Sequence, residues 1–156
     1  MKSEIKLILE EGASNKAKGN CFETLIRNLL STHQYEIKQN LRFTGMELDL
    51  VAEHKHKKNE KLYVECKAKD KVSSVELRTF FANVFHNQAT HGYFFRTSEL
   101  EYDAGGLLEE YRKDDRYRHL TFFEPKDIIQ MLKDGNMLFE PTQSLTDFLI
   151  SKKILA

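Results

Sequence analysis

Gly45-Met-Glu-Leu-Asp49 runs on through Leu50-Val-Ala-Glu53, and sixteen residues after the aspartate comes Glu65-Cys-Lys67. Leu48, Leu50 and Ala52 alternate with Asp49, Val51 and Glu53, the side-chain period of a strand. Leu62, Val64, Cys66 and Ala68 alternate with Tyr63, Glu65 and Lys67 in the same way. The polar run from His54 to Lys61 then reads as the loop of an antiparallel hairpin. That pairing brings an aspartate, a glutamate and a lysine onto one sheet face. Two acids at the end of a face can hold a hard divalent cation through oxygen ligands, Mg²⁺ being the usual choice. A lysine pointing the same way can orient a water or neutralise developing charge, a combination suited to phosphodiester hydrolysis.

Upstream, Phe22, Leu25, Ile26, Leu29 and Leu30 recur at helical spacing and predict an amphipathic first helix. Tyr35 to Phe43 reads as the first strand, with Ile37, Leu41 and Phe43 facing one way. Thr44-Gly45 permits a sharp turn or bulge into the Asp49 strand. Downstream, Val72-Ser-Ser-Val-Glu-Leu77 is a helix start. Ser73 caps it, Glu76 completes a capping box and Val72 staples onto Leu77. Leu77, Phe80, Phe81, Val84 and Phe85 are its expected buried stripe, and His91-Gly92 its expected end. Tyr93 to Arg96 is a predicted strand, with Thr97-Ser98 capping the turn that follows. Asp103 to Arg112 is a predicted helix, weakened at Gly105 and Gly106 by about 1 kcal/mol each relative to alanine. His119 to Phe123 is a further strand, and Pro125 opens a helix over Lys126 to Lys133 that Gly135 stops. The order α-β-β-β-α-β-α-β-α argues for an α/β fold, a sheet flanked by helices.

Four pieces of sequence occur in a telling order. Lys18-Gly-Asn-Cys-Phe-Glu23 lies on the first helix, Gly45-x-Glu-x-Asp49 and Glu65-Cys-Lys67 on the hairpin, and Gly92-Tyr-Phe-Phe-Arg-Thr-Ser98 on the later strand and turn. Together they resemble the PD-(D/E)xK nuclease superfamily, and within it the Mrr-like, restriction-endonuclease-type branch. The likeness covers roughly residues 16–132, with Leu48 in place of the signature's proline. It implies a restriction-endonuclease-like fold, a central mixed β-sheet flanked by helices, over a nuclease domain of residues 1–140. Residues 141–156, where the pattern loosens after Pro141, read as a C-terminal helical segment or the start of a linker.

The resemblance also implies an activity: a metal-dependent endonuclease acting on DNA and leaving 5′-phosphate and 3′-hydroxyl ends. Asp49, Glu65 and the Cys66 backbone carbonyl would bind Mg²⁺ or Mn²⁺. Lys67 would position the attacking water and offset charge in the transition state. Glu23 would orient that water or bind a second ion. Such domains serve as the cutting module of larger defence or repair proteins. Two alternatives keep the fold: a catalytically inactive nucleic-acid-binding or assembly module, and an RNase. The intact acids and lysine count against the first, and the shared site chemistry leaves the second open. Cutting both strands requires a homo-oligomer or additional domains.

At 156 residues the chain suits one domain with a real core. Lysine plus arginine equal aspartate plus glutamate at 24 each, so overall charge gives no sign of a nucleic-acid partner. Seven lysines between Lys55 and Lys71 form the local exception. They read either as a solvated loop or, through closeness to the acids, as phosphate contacts. Cys21 and Cys66 have neither disulfide-framework nor metal spacing and read as small apolar residues of a reducing compartment. No apolar run reaches the ~20 residues of a membrane span, so a soluble, cytoplasmic protein without membrane contact is expected.

Each site residue has a plainer reading. Glu65 and Lys67 could be a structural pair on an exposed face, worth only ~0–1 kcal/mol. Glu23 could simply pair with Arg27, four residues on along the helix. Glu47, in phase with Asp49, reads as exposed or supporting. His54 and His56 read as solvated loop residues, and Gln88 as a weak candidate to reach the site from its helix.

Overall fold

The computed structural model describes residues 15–44, 47–68, 71–97 and 99–135. Helix α1 (Asn15–Thr32) leads into strands β1 (Tyr35–Thr44), β2 (Glu47–His54) and β3 (Lys61–Lys67). A two-residue strand β4 (Lys71–Val72) precedes α2 (Ser74–His86), β5 (His91–Arg96) and another two-residue strand, β6 (Glu99–Leu100). Helix α3 (Tyr102–Lys113), a 3₁₀ turn (Asp115–Tyr117), β7 (Leu120–Phe123) and α4 (Pro125–Asp134) complete the order. Five strands form one sheet in the order β1-β2-β3-β5-β7. It is antiparallel from β1 to β3 and parallel from β3 to β7, the mixed sheet with flanking helices that the resemblance implied. The helix expected after Ser144 and the turn at Gly45 lie outside the described residues.

Strand alternation sorts the core into two halves. Leu48, Leu50 and Ala52 of β2 and Leu62, Val64 and Cys66 of β3 join Phe22, Leu25, Ile26, Leu29 and Leu30 of α1 in one cluster, with Ile128 and Leu132 of α4. On the opposite face Val51, Tyr63 and Phe94 join Leu77, Phe80 and Val84 of α2 and Ala104, Leu108 and Tyr111 of α3. The face that carries Asp49, Glu65 and Lys67 is therefore covered by helices, not open to solvent. A surface-exposed acid–lysine pair is excluded by that cover, because strands sheathed on both faces bury whatever they carry.

Several local expectations change for identifiable reasons. In β1 the register slips between Ile37 and Gln39 and again between Asn40 and Arg42. Those bulges break the simple alternation and leave Leu41 38% exposed. The N-terminus of α2 has the predicted box: Ser73 Oγ accepts from the Glu76 N–H at 3.2 Å, and Val72 and Leu77 are both buried. Helix α2 ends at His86, and His91 and Gly92 already belong to β5. Its buried stripe is the narrower Leu77–Phe80–Val84 line, with Phe81 partly buried and Phe85 75% exposed. Thr97 is buried and caps no helix, since α3 begins after Glu101. Strands β4 and β6, too short for any periodicity, pair in parallel and bring the starts of α2 and α3 together, where Ser74 Oγ donates to Asp103 Oδ2 at 3.0 Å.

Candidate active site

The hairpin register sets the site. Asp49 lies directly opposite Glu65, and Glu47 directly opposite Lys67. Cross-strand partners of this kind hold their Cβ atoms about 4.5–5.5 Å apart. All four residues lie on the α2 side, near the start of β2 and the end of β3. Asp49, Glu65 and Lys67 are only 7%, 2% and 5% exposed. Glu47 is more open, so the site reaches solvent at its end of the hairpin. The parallel β3–β5 pairing and the hydrogen bond from the Thr97 N–H to the Lys67 carbonyl, 3.2 Å, fix the end of the strand.

The ammonium of Lys67 stands among three carboxylates. Glu47 Oε1 is 3.2 Å away, Glu65 Oε2 3.8 Å and Glu76 Oε2 3.9 Å. Glu65 also accepts a hydrogen bond from the Tyr63 hydroxyl at 3.2 Å, and Asn83 of α2 hydrogen-bonds both Glu65 and Tyr63. Burial drives the Glu65 carboxyl up to about 7; nearby Lys67 opposes that rise and Asp49 adds to it. One ammonium does not balance this group of acids.

That imbalance is the chemical condition a divalent cation relieves. Asp49 and Glu65 supply two carboxylates, and the Cys66 carbonyl lies on the backbone beside them. Its thiol cannot be the ligand: it is buried in the opposite core, and burial pushes it well above its usual range. Among the described residues no group of three or more His, Cys, Asp or Glu side chains is placed to hold a metal ion. A two-carboxylate set suits Mg²⁺, which keeps several waters and takes one or two carboxylates. Two carboxylates and a backbone carbonyl are all oxygen donors, the donor type such an ion takes.

Glu23 stands apart from this group. It lies on α1, beneath the opposite face, and accepts a hydrogen bond from Arg27 Nε at 2.7 Å. Arg27 in turn reaches Asn40 of β1 at 2.6 Å. The charge of Glu23 adds to the rise at the Cys66 thiol, which places it near the back of β3.

Four further residues belong to the site. Glu47 was visible as an acid in phase with Asp49, and Tyr63 as a residue in phase with Glu65. Glu76 was accounted for as a cap. Asn83 lies seven residues after Glu76, on the same helix face, and its signal was a polar residue within an apolar stripe. Gln88, the candidate from this helix, lies past its end at φ 54° and is exposed at the other end of the sheet. The loop histidines also serve structure: His54 Nδ1 accepts from the His56 and Lys57 N–H groups at 3.0 and 3.2 Å.

The family model described as restriction endonuclease, the Mrr-type catalytic domain, matches residues 14–132. Among solved structures, the DNA modification-dependent restriction endonuclease AspBHI is similar, at 13% identity and a TM-score of 0.42. That match covers 86% of this chain and 40% of the AspBHI chain. No curated protein matches.

Proposed function

The chain belongs to the Mrr-type restriction endonuclease family, and from that membership we propose that it is a metal-dependent endonuclease that hydrolyses phosphodiester bonds in DNA. The observation that carries this reading is the Asp49–Glu65 pair, set opposite one another on neighbouring strands with Lys67 beside it. Asp49, Glu65 and the Cys66 carbonyl would hold Mg²⁺ or Mn²⁺. When bound, the ion supplies Lewis-acid polarisation of a phosphoryl oxygen and a more acidic water.

The chain's own residues do the rest. Tyr63 and Asn83 fix the Glu65 carboxylate so that its orientation is set before substrate arrives. The Lys67 ammonium donates to the attacking water and offsets the charge that builds on the phosphorane-like transition state. Helix α2 covers the sheet over these groups and keeps their charges in a poorly solvated setting, where they act more strongly. Glu23, paired with Arg27 on α1 beneath the opposite face, stays outside this proposed set.

One site cuts one strand. A double-strand break then takes two chains in opposed orientation, or further domains, and the chain acts as the cutting module of a larger defence or repair assembly. The test is incubation of supercoiled plasmid with the protein and Mg²⁺, Mn²⁺ or EDTA, beside a structured RNA. Nicked plasmid with either metal and none with EDTA is the expected result. Cleavage of RNA alone would move the substrate to RNA, and intact nucleic acid under every condition would leave a binding or assembly module.

A further inference from the structure

We propose that Glu76 is a positioning residue for Lys67, so that one carboxylate both caps helix α2 and aims the lysine of the active site. The two oxygens divide the work. Oε1 faces the Ser73 N–H at 3.5 Å and the Ser73 hydroxyl at 3.2 Å, which is the return half of the capping box. Oε2 faces Lys67 Nζ at 3.9 Å. The Ser73 backbone N–H, which any residue but proline keeps at 73, holds Oε1 on the cap side and leaves Oε2 toward the ammonium, and the carboxylate sets a boundary on it. Glu47 holds the same ammonium from β2 at 3.2 Å, so Lys67 is gripped between a strand and a helix.

An ordinary capping box explains only half of this arrangement. Glutamine serves the return bond of the box as well as glutamate does. The capping role needs no charge at this position, whereas opposing a buried ammonium does. Lysine has a long, rotatable stem and a point-like charge, and it reaches one direction only when its surroundings impose it. A carboxylate fixed to the first turn of a helix supplies that constraint.

The effect on turnover rests on the nuclease reading, while the effect on the lysine does not, and two variants separate them. Glu76→Gln keeps the box and removes the charge; Ser73→Ala weakens the box and keeps the charge. In ¹⁵N-lysine-labelled protein with EDTA, the Lys67 ammonium, assigned by its absence in Lys67→Met, is expected to give a slowly exchanging signal. That signal is expected to persist in Ser73→Ala, which melts at lower temperature, and to vanish in Glu76→Gln, which melts close to the parent. In plasmid cleavage, Glu76→Gln is expected to lower kcat by about 10–100-fold, with the KM for DNA unchanged. If Glu76→Gln also melts early, comparison with Ser73→Ala at a temperature where both are folded keeps the charge effect distinct. A Lys67 signal unaltered in Glu76→Gln, or an unaltered kcat in a protein that cuts, overturns the proposal. Absence of cleavage by the parent, with the contrast in signals intact, supports the positioning role and overturns the nuclease reading instead.

Discussion

Glu65 carries the sharpest electrostatic consequence. Its carboxyl titrates near 7 in the folded chain, chiefly because it is buried. In the unfolded chain it titrates near the ordinary 4.5. Between those values the folded state holds a proton that the unfolded state has lost, so this group's stabilisation is greatest at low pH and fades as pH rises through about 7. Glu65→Gln removes the ionisation while keeping the shape. In EDTA the variant is expected to melt above the parent at pH 8, with the gap closing at pH 5. Equal melting temperatures at pH 8 would show that the buried carboxylate carries no such cost. Lys67 has the opposite sense. Lys67→Ala leaves Glu47, Glu65 and Glu76 facing one another without their cation. A loss of about 3–5 kcal/mol in urea unfolding is expected on the scale of broken buried pairs. A loss below 1 kcal/mol would mean water screens the site well. The catalytic role proposed for it is better read from Lys67→Met, which keeps the apolar stem.

At the scale of elements, β5 crosses closely beneath α2. A Cβ on Gly92 would meet Val84 Cγ2 at 2.5 Å, Phe80 Cζ at 2.9 Å and Leu120 Cδ2 at 3.0 Å. Gly92→Ala is therefore expected to cost about 1–3 kcal/mol of stability in chemical denaturation, as overpacking does. No measurable loss would mean that α2 can lift from the sheet. The same element shows what sequence can convey. Residues 47–67 read correctly as a hairpin because the alternation is regular and the two acids fall in register. The α2 cap was visible because a capping box is local. Phe85 was assigned to the core because five apolar residues within nine suggest a broad stripe, but the sheet beneath takes only a narrow line of them. Asn83 went unseen because its value comes from Tyr63 and Glu65, which stand on β3, distant in sequence. In β1 the two bulges carry no mark in composition, and Leu41 accordingly faces the wrong way. Pairing across elements, not propensity, decides each of these cases.

The whole molecule has two unlike ends. Asp49, Glu65 and Lys67 cluster where β2 begins and β3 finishes. The lysine-rich turn lies at the other end of the same hairpin. Four residue steps separate the Asp49–Glu65 pair from the Glu53–Lys61 pair, which at ~3.3 Å each is roughly 13 Å before the turn begins. All six histidines of the sequence sit at that far end, near the starts of β1, β5 and β7, the end of β2 and the end of α2. Lys55, Lys57 and Lys58 thus stand too far from the Asp49–Glu65 pair to touch a phosphate bound there. Replacing the three by alanine is expected to leave kcat unchanged in plasmid nicking, with at most a small rise in KM at low salt. A tenfold fall in kcat would place the turn in the site. No described helix is long and apolar enough to cross a membrane.

The fold thus presents one acid pair across β2 and β3, and the central claim is that this pair holds the catalytic cation. Calorimetric titration of Mn²⁺ into the parent and Asp49→Ala tests it most directly. Asp49 lies beside a like charge in a buried setting, so removing it relieves repulsion and should leave a folded chain for the comparison. One saturable site per chain in the parent, and none in the variant, is the expected result. Equal Mn²⁺ binding by the two folded proteins would contradict the assignment and place any metal elsewhere.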